Sequence, residues 1–115
     1  MSNRKIVMEI VTAFDENDVE TILNSVTDDI VWNMVGNETV SGKENLRKFF
    51  ADHADMKMIS STKDHIIIDG DSACVDGYVH CSDGKDKNFH MNYCDIYDIE
   101  KEKIKKITSY CVNIT

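Results

Sequence analysis

The sequence predicts an α+β fold in which an antiparallel sheet is covered on one face by three N-terminal helices, in the order α-α-β-α-β-β-β-β. Three observations predict it. Apolar residues recur at helical spacing through the first half of the chain. From Met56 onward the pattern turns to strand-like runs separated by Asp-Gly pairs. Proline is absent and no low-complexity stretch or repeat marks a linker, so residues 1–115 read as one domain. A long antiparallel sheet has one face to cover, and three helices are available to cover it.

The first helix follows from Ile6, Val7, Ile10, Val11 and Phe14 on one face, with Ser2 or Asn3 as its cap. Asp15-Glu16-Asn17 breaks that pattern. Asp18 then caps a second helix whose apolar face is Val19, Ile22, Leu23 and Val26. Residues 29–35 form the first strand. Ser41 and Glu44 have capping-box spacing, which starts a third helix with Leu46, Phe49, Phe50 and His53 on one face. Four strand-like runs follow at about 57–68, 72–82, 87–99 and 103–113. Asp69-Gly70 and Asp83-Gly84 read as hairpin turns, because glycine takes a positive φ at little steric cost.

Composition excludes several classes of partner. The 21 acidic residues outnumber 13 basic ones, for a formal charge of −8. Phosphate backbones and anionic lipid are repelled by such a chain, so neither nucleic acid nor membrane is expected as a partner. Lys101, Lys103, Lys105 and Lys106 are interleaved with Glu100 and Glu102, as at a solvated hairpin tip. No apolar run reaches the ~20 residues of a membrane span and no secretory signal is evident, so a cytoplasmic location is expected. Cys74, Cys81, Cys94 and Cys111 all fall in strand-like runs without a C-x-x-C pair, as buried free thiols would.

The order and spacing of these features carry a resemblance. The residues concerned are the helix pair ending at Asn17-Asp18, Asp28-Asp29-Ile30-Val31-Trp32 with Gly36, and Ser41-Gly42-Lys43-Glu44. His65 to Asp71 and Tyr93-Cys94-Asp95-Ile96-Tyr97, leading to Lys103-Ile104, continue it. Over nearly its whole length the chain resembles the nuclear transport factor 2-like (cystatin-like) superfamily, in its SnoaL-like, polyketide cyclase-like branch. The resemblance implies a cone-shaped, curved antiparallel sheet wrapped around the three helices, with a pocket at the open end. It also implies a homodimer through the convex sheet face. Relatives include isomerases, dehydratases, cyclases, epoxide hydrolases and members that catalyse nothing.

Two departures narrow the activity. The general-base aspartate of ketosteroid isomerases aligns with Asn33, whose amide cannot cycle a proton near neutral pH. Their phenolic oxyanion donor aligns with Ile10, which has no donor. An Asp–Arg–Asp relay of the epoxide hydrolase kind finds only Arg4 and Arg47, neither on a predicted pocket strand.

Asp95 is the candidate catalytic residue. Strand alternation places it on one face with Phe89, Met91, Tyr93 and Tyr97, where desolvation would raise its pKa and suit it to acid/base work. The alternative is a partly exposed aspartate bonded to a neighbouring strand. His90, five residues away on the same strand, points to the opposite face. With a two-residue loop at Asp83-Gly84, Asp95 would pair near Ser72 and His80 near Lys87, about 26 Å apart. His53 continues the apolar face of the third helix toward the interior. The remaining pocket candidates are Phe14, Trp32, Asn33, Phe49, Tyr78, Met91, Tyr93 and Tyr110, giving a site for a small apolar or aromatic organic ligand. The resemblance places Asn33 inward, as a group that positions a ligand oxygen. The length of the last hairpin loop leaves open whether Tyr110 or Ser109 and Cys111 face inward. No phosphate loop, metal motif or nucleotide fingerprint is present, so any chemistry is expected to need neither cofactor nor metal.

Overall fold

Ser2 accepts a hydrogen bond from the Lys5 amide and starts α1 (Asn3–Asp15) in this computed structural model, which describes residues 2–114. Asp18 does the same for α2 (Val19–Asn24), taking the Thr21 amide at 3.2 Å and its hydroxyl at 2.6 Å. The chain continues as β1 (Val26–Met34), β2 (Thr39–Ser41), α3 (Lys43–Asp52), β3 (Lys57–Ser61), β4 (His65–Asp69), β5 (Ser72–Ser82), β6 (Asn88–Glu100) and β7 (Lys103–Asn113). This is the α+β cone fold: three helices against one face of an open, curved sheet. Among the described residues no helix is long and apolar enough to cross a membrane.

The sheet is mixed rather than wholly antiparallel. Its order is β2-β1-β7-β6-β5-β3, with β4 also on β5, and β1 lies parallel to β7. The predicted strand at 57–68 is two strands, because β5 is long enough to pair β3 at one end and β4 at the other. At the junction Thr62 and Asp64 donate to the carbonyls of Tyr78 and Asp76, each at 2.8 Å. The chain there passes so close to Gly77 that a Cβ would lie 2.0 Å from the Thr62 carbonyl oxygen.

The predicted capping box does not form. Ser41 belongs to β2, and Gly42 at φ +89 precedes α3 without a side-chain cap. The hairpin register also differs from that expected for a two-residue loop. Asp83 accepts the amides of Lys85 and Lys87, which closes a five-residue loop over residues 83–87. Asp95 therefore pairs with Val75, and His80 pairs with His90. The last hairpin turns on Lys101 and Glu102, both at positive φ, as a two-residue loop requires.

The core lies between α1 and the sheet. Ile6, Val7, Ile10 and Val11 share one buried cluster with Ile22, Leu23, Leu46, Val75, Tyr97 and Ile107. Each fully buried aliphatic chain contributes roughly 1.5–3 kcal/mol, so this seam anchors the helices. It leaves the wide end of the sheet unfilled.

Candidate functional site

That unfilled end is a cavity of about 460 Å³, within the range of small-molecule sites. Its walls follow from the periods of the elements around it. The helical repeat brings Val11, Phe14 and Asp15 of α1 to it, and Phe49, Phe50 and His53 from the end of α3. Strand alternation supplies Trp32 and Met34 of β1, Phe89 to Tyr97 at every second residue of β6, and Ile107, Ser109 and Cys111 of β7. Trp32 stands edge-on to Phe14 and Phe49, with ring centres 5.5 and 5.6 Å away. His53 stacks on Phe49 at 4.3 Å and places its Nδ1 2.8 Å from the Phe49 carbonyl.

Asp95 sits at the sheet side of this cavity. The residue as a whole is half-buried, and its carboxyl group is largely enclosed. Burial pushes its pKa up to about 6, against hydrogen bonds from the Ser109 and Tyr97 hydroxyls, which pull it down. Ser109 is itself held, since the Trp32 indole N–H donates to its Oγ at 2.8 Å. The result is a chain running Trp32 to Ser109 to Asp95, with Tyr97 entering from the other side. Tyr97 is fully buried, and both burial and the neighbouring Asp95 charge push its phenol up. The Tyr93 hydroxyl donates to the Thr62 carbonyl at 3.1 Å across the face of Gly77, its partner in register.

A second polar group lies at the rim. Asp15 is ion-paired to Lys63 and accepts the Ser61 hydroxyl at 2.8 Å. Asn17 joins β3 by accepting the Met58 amide at 3.0 Å and donating to the Met58 carbonyl at 3.4 Å. Among the described residues three carboxylates line the cavity, on Asp15, Glu38 and Asp95, and no lysine or arginine does.

The cavity thus brings together Phe14, Trp32, Phe49, His53, Met91, Tyr93 and Asp95 of the predicted set. Three others face away. Trp32 and Met34 occupy the inward phase of β1, which turns Asn33 outward, where its Oδ1 accepts the Thr39 hydroxyl. Tyr78 is out of phase with Val75, Val79 and Cys81 of β5, and lies beside His90 on the outer face, 2.5 Å from its Nδ1. Tyr110 is 47% exposed, because the two-residue turn sets Ser109 and Cys111 inward. Tyr97, read in sequence only as sharing the face of Asp95, proves to be one of its hydrogen-bond partners. Asp15 was missed, since a break after an apolar helical face carries no signal of a rim.

On the outer face His80 stacks on His90 at 4.4 Å and meets Asn88 through Nε2 at 2.8 Å. His65 pairs with Asp76 at 2.8 Å. The thiols of Cys74 and Cys94 approach to 3.5 Å, and burial pushes that of Cys94 up to about 11. None of the four thiols expected to be buried is fully so: Cys74, Cys81 and Cys94 are half-buried and Cys111 is exposed. Among the described residues no group of three or more His, Cys, Asp or Glu is placed to hold a metal ion.

Solved structures share this architecture. One is a nuclear transport factor 2-like protein of unknown function from Cytophaga hutchinsonii, 28% identical over 96% of this chain and 100% of that one, with a TM-score of 0.73. An LEH-like epoxide hydrolase of M. tuberculosis superposes with a TM-score of 0.82 at 16% identity, over 94% and 80% of the two chains. A candidate SnoaL-like polyketide cyclase from Mesorhizobium loti gives 0.78 at 16%, over 96% and 99%. At 16% identity the last two speak to fold alone. No curated protein matches the sequence. A SnoaL-like domain model matches residues 7–107, and the chain therefore belongs to the SnoaL-like family of the nuclear transport factor 2-like superfamily.

Proposed function

We propose that the chain binds a small lipophilic organic molecule in the cavity, and that Asp95 exchanges a proton with it in cofactor-free isomerase, cyclase or lyase chemistry. One observation carries this reading: a carboxyl group is enclosed at the base of an apolar, aromatic-walled cavity of about 460 Å³. Burial pushes its pKa up to about 6, toward the neutral range in which a group can both give and take a proton. Hydrogen bonds from Ser109 and Tyr97 support the ionised form, and the residue lines the ligand space.

A non-catalytic binding role is the second reading, and a specific observation favours it. The Trp32, Ser109, Tyr97 and Tyr93 donors already serve protein acceptors, so none of these four is left to stabilise an oxyanion beside Asp95. The neutral fluorophore N-phenyl-1-naphthylamine tests binding, and 2-tetralone in D₂O tests proton transfer. The fluorophore should brighten with micromolar affinity, and Met91→Trp, which fills the cavity, should abolish the signal. If wild type binds neither probe, the cavity reading fails. Wild type should exchange the α-hydrogens of bound tetralone at least tenfold faster than Asp95→Asn does. Binding with no exchange above the variant selects the non-catalytic role.

The outer sheet face is proposed to take a second copy of the chain. Ile67, Cys74, Ile96 and Thr108 form one row across four strands, and Asp76, Cys94 and Tyr110 form the next. Ile67 and Val112 are 58% and 63% exposed there. Light scattering at tens of micromolar should give twice the 13.1 kDa chain mass. The combined change Tyr110→Lys and Val112→Glu should halve it, and a monomeric wild type would exclude the dimer.

A further inference from the structure

The geometry points to a lipophilic amine as the cavity's ligand, its protonated nitrogen seated at Asp95 and its hydrocarbon body against Trp32, Phe14 and Phe49. This rests on the binding half of the proposed function and adds the chemical class.

Hydrogen-bond accounting supplies the first argument. On the sheet side of the cavity the Trp32 N–H serves Ser109, and the Ser109 and Tyr97 hydroxyls serve Asp95. The Tyr93 hydroxyl serves Thr62. Beyond these the lining offers the weak thiol donors of Cys81 and Cys111 on the strands, the Asn37 amide from the turn between β1 and β2, and His53 at the end of α3. At Asp95 itself what faces the ligand is acceptor capacity on a carboxylate, so a group seated there must bring the donor. A carbonyl or ether oxygen placed there would meet another acceptor.

Charge supplies the second. Among the described residues Asp15, Glu38 and Asp95 give the lining three carboxylates, and no lysine or arginine reaches it. Lys63 answers Asp15 from outside the cavity, whereas Asp95 has hydroxyl partners and no facing cation. A buried carboxylate without a counter-charge is costly, and a ligand cation removes that cost at the moment it binds. The aromatic walls help, because ring faces attract an alkylammonium group that carboxylic acids and phosphates cannot supply. Anionic ligands meet the opposite: the carboxylates of Asp95 and Glu38, with no lysine or arginine among the described lining residues to pair with.

Three naphthalenes of nearly one size separate these terms: 2-(aminomethyl)naphthalene, 2-(hydroxymethyl)naphthalene and 2-naphthoate, titrated calorimetrically into the full chain at pH 7.5. The amine should bind at least tenfold tighter than the alcohol, and the naphthoate most weakly. In Asp95→Asn the ratio of amine to alcohol affinity should fall to near one. Equal binding of amine and alcohol by wild type, or an amine preference that survives Asp95→Asn, overturns the inference while the cavity still binds. If none of the three binds, the cavity reading fails with it.

Discussion

Gly77→Ala is expected to cost about 3 kcal/mol and to lower Tm on the order of 10 °C, since an added Cβ here meets backbone far more closely than at any of the other four glycines. The added Cβ would lie 2.0 Å from the Thr62 oxygen, 2.8 Å from its carbonyl carbon and 3.2 Å from the Lys63 Cα, all of them backbone. Nothing there can rotate away. Relief requires residues 62–63 to move outward. That strains the amide bonds from Thr62 to Tyr78 and from Asp64 to Asp76, and the Tyr78 amide bond to Thr62 Oγ1 at 3.1 Å. It also pulls the Thr62 carbonyl from the Tyr93 hydroxyl. Urea unfolding of both proteins measures the loss. Gly36→Ala is the control: it has φ +79 but open space around the Cβ, so it should show only left-handed backbone strain, roughly 1–2 kcal/mol. A Gly77→Ala loss no larger than that of Gly36→Ala would contradict the close approach.

Asp95→Asn is expected to stabilise the protein at pH 7.5 by roughly 1–3 kcal/mol, the upper figure being the whole cost of the carboxyl's shift from 3.8 to about 6. Burial raises the folded-state pKa above the unfolded one, so the folded chain holds this proton more tightly. The stability it contributes is complete below about pH 3.8 and is lost as the pH rises through about 6. Asp18 and Asp83 act in the opposite sense. The Thr21 hydroxyl and the Lys85 amide, respectively, lower their pKa values, and their contributions fade on acidification. Those contributions are common to both proteins, so the difference between wild type and Asp95→Asn isolates Asp95. That difference should vanish near pH 3.5 and reach its plateau above pH 7. An Asp95→Asn protein less stable than wild type at pH 7.5 would mean that the ionised carboxylate is better satisfied than Ser109 and Tyr97 can explain.

Periodicity makes the inward side of β6 legible in the sequence. Phe89, Met91, Tyr93, Asp95 and Tyr97 alternate within one strand, and a run of that length admits one phase. The helices were legible for the same reason, with Asp18 and Ser2 as caps. Long-range relations were not. Whether Trp32 or Asn33 faces inward depends on how β1 meets β7, some seventy residues away, and no local pattern records a parallel pairing. Tyr110 and Tyr78 failed differently. A tyrosine suits a pocket and a half-exposed sheet equally well, so residue type could not choose the face. Loop length was the other blind spot. Asp83 folds back on Lys85 and Lys87 to make five residues of what reads as a two-residue turn, and that displaced the whole β5–β6 register. The capping box failed because Ser41 ends β2, its backbone paired with Val31 of β1, which leaves Gly42 in the cap position.

The parallel seam of β1 and β7 also sets an order of events in folding. Trp32 reaches Ser109 only when the last strand is in place, a closure that spans 77 residues of chain. Contacts of such separation are slow to form, since the entropy of the intervening loop is lost before they repay it. On a ribosome the helices and the β5–β6 hairpin can assemble while β1 still waits for its neighbour. Until then the indole has no serine to meet, and the carboxylate at position 95 lacks one of its two hydroxyls. The site is thus among the last features of the molecule to form, which makes Trp32 fluorescence a reporter of the final step of folding rather than of collapse.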